Sequence, residues 1–311
     1  MTSQRATLQY ALLALLFAAT CVFQYQAVSY FTYLIAHAED VAIDPVTFSS
    51  DSNRIQLVLN PKMDAHPGDE VLDVNGRPLT GKAVWGDIMA AAKPGDPLRL
   101  KLRSPSGQER QITVRLNQRY SDAYRHAGQL LTTFFGILIP ISCVLLGFWV
   151  AAVRPRDALA WLLLFLLLSF TQILGTPVLR WQGWIRCFGT FYNSAMNQSW
   201  PVWMVLFGLY FPERFPAGKW RKATTLLGWV VVAPLSLAAV IGTWVSVRSV
   251  VSYQSVEAIV RVSERFDTLE TVLTYIALVT FLAALVVKYF LAISRDAKRR
   301  LRIVYLGSFI S

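Results

Sequence analysis

The chain has three histidines, His37, His66 and His126, and three cysteines, Cys21, Cys143 and Cys187. No two histidines stand one helical turn apart around a glutamate, the His-Glu-x-x-His spacing by which a helix offers two imidazoles to zinc and a base to its water. The cysteines are scattered, and two of them lie in expected membrane spans, so neither a disulfide framework nor a redox pair is indicated. A Gly-x-Ser-x-Gly elbow, a glycine-rich phosphate loop, a kinase signature and paired carboxylates are all missing. No catalytic machinery, metal site or cofactor is expected from these residues.

The apolar segments dominate instead. Hydrophobic residues make up 54% of the chain and charged ones 16%, above the usual apolar share of a soluble domain. Long uncharged runs recur, each near or above the roughly 20 residues that cross a hydrocarbon core. The expected organisation is a first transmembrane helix or signal anchor over 1–37, a polar insert over 38–118, and a multi-span block over 126–311. Spans are expected over about 128–153, 158–178, 192–212, 223–247 and 269–293, with a truncated one from 303.

A cleaved signal peptide is an alternative for the first run, since Leu12 to Phe17 is followed by Ala18-Ala19-Thr20. That run nevertheless continues uncharged past Tyr25, Tyr30 and Tyr33, more than a secretory core needs.

The net charge of +11 could suggest nucleic acid, but the basic residues sit in short loops beside apolar runs. Arg5, the pair Arg154 and Arg156, the set from Arg214 to Lys222 and the set from Arg295 to Arg302 would share one side. Arg180, Arg186, Arg248, Arg261 and Arg265 face the other, partly offset by Glu257, Glu264 and Asp267. The positive-inside rule then places the N-terminus in the cytoplasm and the insert outside. No Asp, Glu or Arg is expected deep in a span, which argues against an ion pump. Lys288 is expected to snorkel to the cytoplasmic interface.

Within the insert, Ile55–Leu59 and Glu70–Val74 read as strands, the second closed by the turn pair Asn75-Gly76. Gly81 to Ala92 has helical spacing through Val84, Ile88 and Ala91, and ends at Lys93-Pro94-Gly95. Leu98–Leu102 and Gln111–Leu116 form a hairpin across Ser104-Pro-Ser-Gly107. The order is strand, strand, helix, strand, strand.

Pro67-Gly-Asp-Glu-Val-Leu-Asp-Val-Asn-Gly76, with the helix, the Gly95-Asp96 turn and the closing hairpin, resembles the C-terminal two-thirds of a bacterial PDZ domain. The fold class implied is a polytopic α-helical membrane protein with an inserted small α+β PDZ-like domain. The resemblance implies strand addition of a peptide, in a groove walled by an edge strand with Ile55, Leu57 and Leu59 and a helix face with Val84, Ile88 and Ala91. The Gly-Leu-Gly-Phe-like carboxylate loop of the family is replaced here by Thr47-Phe-Ser-Ser-Asp-Ser-Asn53.

With Gly147-Phe-Trp-Val150 and Arg154-Pro-Arg-Asp-Ala-Leu-Ala-Trp161, the whole chain resembles the membrane sensor region of bacterial SpoIIE-type serine/threonine phosphatases; some competence-type histidine kinases are similar in layout. The resemblance implies a plasma-membrane sensor that passes an extracytoplasmic signal to a phosphatase domain beyond Ser311. The expected partners are a peptide or envelope protein at the insert and the lipid bilayer, with no nucleic acid and with a homodimer as the oligomer to test. An envelope scaffold is the alternative, and a transporter ranks third.

Overall fold

Successive apolar residues without a helix breaker give α1, Thr2–Ala36, as one continuous helix. The computed structural model describes residues 2–49, 52–118, 125–172, 175–212, 219–263 and 265–291. The seventh apolar run, the basic set from Arg295 and Arg214 lie outside them.

After α1 the chain enters the insert: β1 Val46–Phe48, β2 Ile55–Val58, β3 Glu70–Val74, β4 Arg77–Pro78, α2 Lys82–Ala91, β5 Pro97–Arg103 and β6 Glu109–Arg115. The expected strand-strand-helix-strand-strand order is present, with β1 and β4 in addition. Asn75 (φ 52°) and Gly76 (φ 80°) are both left-handed, which is why an Asn-Gly pair can fold β4 tightly back on β3. The larger sheet runs β4-β3-β5-β6, and β1 pairs with β2 in a separate two-stranded ribbon. Strict alternation along β5 turns Leu98, Leu100 and Leu102 into the core, where they meet Val71, Val74, Trp85 and Met89. The two ends of the insert join through the antiparallel bridge Ala42↔Gln118.

The remaining elements are helical: α3 Arg125–Thr133, a π-turn Phe134–Leu138, α4 Ile139–Val153, α5 Ala158–Phe170, a 3₁₀ turn Val178–Arg180, α6 Gly183–Tyr210, α7 Lys219–Val251, α8 Glu257–Ser263 and α9 Asp267–Leu291. The π-turn directly precedes Pro140, whose missing N–H cannot continue a regular ladder.

Among the described residues, four helices are long and apolar enough to cross a membrane: Thr7–Ala36, His126–Val153, Thr225–Val251 and Thr268–Phe290. The chain is a polytopic helical membrane protein. Two expected spans take a different form. The one over 158–178 becomes α5, a helix of 13 residues, or about 20 Å, short of the ~30 Å core. It stops at Phe170, where Thr171 and Gln172 are buried in an irregular segment. Non-helical backbone at such depth requires enclosure by protein. The one expected over 192–212 begins at Gly183 and is long enough, but Arg186, Asn193, Asn197 and Gln198 make it polar. That polarity is used between helices: Gln198 lies directly against Gly242 of α7, where a Cβ would collide with its amide.

Lys288 does not snorkel. It is buried, and its Nζ donates to the carbonyls of Gly208 (2.9 Å), Leu209 (2.7 Å) and Phe211 (2.8 Å). A cation at a helix C-terminus satisfies carbonyls that no further turn can reach and complements the dipole.

Candidate functional site: the face between the insert and the helices

The insert is seated on the helix ends through α2. Trp85, Gly86 and Met89 are its buried residues. A Cβ at Gly86 would strike the Leu179 carbonyl, and one at Gly81 would come within 2.6 Å of the Val251 carbonyl, so only glycine allows this approach at both places. Beyond α7, the Tyr253 N–H donates to the Thr80 carbonyl at 2.8 Å, and the Tyr253 side chain joins the core of the insert. That core is therefore completed by a residue far downstream in the chain.

Two arginines, Arg186 buried and Arg180 largely so, fasten the same face. Arg180 donates through Nη2 to the Ala42 carbonyl (3.0 Å) and to Asp44 (3.1 Å), and through Nη1 to the Tyr30 hydroxyl (3.4 Å). Asp44 also accepts from Trp85 Nε1 at 3.1 Å. Arg186, in the first turns of α6, donates to the Trp181 and Ala83 carbonyls and forms an ion pair with Asp87 of α2. Each arginine thus has its charge matched by an insert carboxylate and further N–H groups taken by carbonyl or hydroxyl oxygens, the condition under which a buried guanidinium is tolerated.

The six residues expected to wall a groove are not gathered into one. Ile55 is a core residue, whereas Leu57 and Leu59 are exposed. The reason is a register shift: Phe48 faces Ile55 and Thr47 faces Leu57, so the extra residue Gln56 forms a bulge that flips the alternation. The expected edge strand is also paired on both margins at its start. Ile55 N–H donates to the Asp69 carbonyl, while Ser49 N–H donates to the Arg54 carbonyl on the other side. On α2, Val84 and Ile88 are half-buried flanks of the core and Ala91 is exposed. β1 meets α2 through Phe48, whose ring stands edge-on to Trp85 at 4.8 Å between centroids.

A polar cleft of about 590 Å³ opens beside this face. Asn53, Arg54 and Glu70 line it from the insert, Gln254 from the segment joining α7 to α8, and Glu257 and Arg261 from α8 itself. Arg261 donates to Glu257 at 2.8 Å, and Asn53 Nδ2 donates to Glu70 at 3.1 Å. Glu70 also lies 3.5 Å from Arg103, which pairs with Glu109. Hydrogen bonds from Lys101 and then Arg103 hold the Glu109 carboxyl below its ordinary range. The volume suits a small polar solute, with donors and acceptors of both signs on opposing walls.

The histidines stay apart. His37 stacks on Tyr33, and His66 meets Arg110 beside buried Asp69. Among the described residues no group of three His, Cys, Asp or Glu side chains could hold a metal. The three cysteines are free thiols. Arg180, Arg186, Asp44, Asp87 and Tyr253 were not singled out by sequence, although two arginines beside the insert-facing ends of apolar runs, on the side expected to be poor in basic residues, were the signal available. No protein-family model matches the chain, and no curated protein or solved structure matches it either.

Proposed function

We propose that this protein is a membrane-embedded sensor whose PDZ-like insert, outside the plasma membrane, takes up a polar envelope ligand and passes the event through the helices to a cytoplasmic output. The observation that carries this reading is the cleft: its walls belong to two parts of the chain, the insert and the stretch from the end of α7 through α8. A solute bridging them favours one relative placement over another, which is the differential affinity any ligand-driven switch requires. The seated α2, with Arg180 and Arg186, supplies a stiff path from insert to helices. The uneven distribution of basic loop residues supports an outward insert, and the likeness of the chain to SpoIIE-type sensor regions supports a phosphatase as the output.

One observation favours a second reading, an envelope scaffold. Leu57 and Leu59 are exposed side by side on the insert, and an apolar pair of this kind suits a protein partner with no signal crossing the membrane.

A ligand-independent clamp separates the two. In a cysteine-free background in nanodiscs, cysteines replacing Arg54 and Gln254 are bridged across the cleft by a short bifunctional maleimide. Spin labels at Ala158 and Lys222 then report the far end of the bundle by double electron–electron resonance. The sensor reading expects their distance distribution to shift on clamping; an unchanged distribution leaves the scaffold reading in its place.

A further inference from the structure

We infer that the groove between α4, α5 and α6, at the end of the bundle remote from the insert, binds one anionic phospholipid, with the phosphate at Arg154 and an acyl chain along the helices. The groove holds about 320 Å³ and has apolar walls in Trp149, Val153, Leu163, Phe207 and Phe211. Its depth in the membrane follows from its position in the chain. The apolar span of α3 and α4 ends at Val153, so Arg154 is the first residue beyond the hydrocarbon and stands at headgroup level. Trp149, one turn earlier, is 72% exposed, as an aromatic side chain facing lipid near an interface would be.

The charges at the mouth favour an anion. The Arg154 guanidinium has no ion-pair partner among the described residues. The opposing carboxylate, Asp157, is turned to the start of α5, where it accepts from the Leu159 N–H at 2.9 Å. On the third wall, the Phe211 carbonyl just past α6 accepts from Lys288 at 2.8 Å, as the neighbouring Gly208 and Leu209 carbonyls do. A basic side chain beside apolar clefts between spans is the arrangement that holds lipid phosphates.

The test is native mass spectrometry of the full chain released from mixed micelles containing phosphatidylglycerol and phosphatidylcholine of identical chains. The wild type is expected to retain phosphatidylglycerol about fivefold over phosphatidylcholine, the size of effect one basic residue exerts at an anionic surface. Arg154→Gln should abolish the preference and Arg154→Lys should keep most of it, which separates charge from folding. Val153→Trp, which narrows the groove from its lipid-facing rim, should lower retention of both lipids. Preference surviving in Arg154→Gln would overturn the assignment. So would displacement of the lipid by glycerol phosphate alone, since the site would then hold a free phosphate without a chain.

Discussion

Arg186 and Asp87 test whether the insert is bound to the helices by specific chemistry or only leans on them. Asp87 is about half exposed, so solvent screening reduces the worth of the pair, while the buried arginine raises the cost of leaving it unmatched. A double-mutant cycle of Arg186→Gln and Asp87→Asn should give a coupling of about 1–2 kcal/mol in chemical unfolding of the detergent-solubilised protein. Additive effects would mean that the two side chains do not act together. Lys288 makes a second residue-scale prediction. Lys288→Met leaves three carbonyls at the end of α6 and its cap without their donor, a loss of about 2–3 kcal/mol, and should lower the thermal midpoint of the whole bundle without altering the insert. A midpoint equal to that of the wild type would show that water reaches the helix end and replaces the amine.

Among the elements, the insert depends on a residue that its own sequence does not contain. Tyr253 is buried in its core and reached from the end of α7. Truncating a buried aromatic of this size costs about 3–5 kcal/mol, a large fraction of what a domain of this length has to spare. Residues 38–118 produced alone should therefore unfold at markedly lower urea than the same residues within the full chain, followed by Trp85 fluorescence, and Tyr253→Ala in the full chain should close most of that gap. Equal urea midpoints would make the insert autonomous.

Much of this element level was legible in the sequence. The leucine alternation of β5, the Asn75-Gly76 turn and the Ser104–Gly107 hairpin are local signals, and each stands where expected. The bulge at Gln56 was not legible, because one inserted residue reverses a face without changing composition. β1 is three residues long and carries too little pattern to be read. The early stop of α5 at Phe170 was hidden because the run stays uncharged through Leu179, although Thr171 and Gln172 already break its apolar character. The pairings Arg180–Asp44 and Arg186–Asp87 join positions 136 and 99 residues apart, and no periodicity encodes such contacts.

For the molecule as a whole, the candidate site belongs neither to the insert nor to the bundle but to their junction. α2, the 3₁₀ turn, the start of α6 and the end of α7 meet there, and the polar cleft opens beside them. If the insert moved freely on its two connections, no event in the cleft could reach the helices, and the sensor reading would lose its physical basis. The decisive measurement is therefore the distance between spin labels at Gln111 on β6 and Trp184 on α6, by double electron–electron resonance in nanodiscs. A single narrow distribution is expected for the wild type, broadening when Arg180→Gln and Arg186→Gln are combined. A broad distribution in the wild type would contradict a docked insert and the coupling built on it.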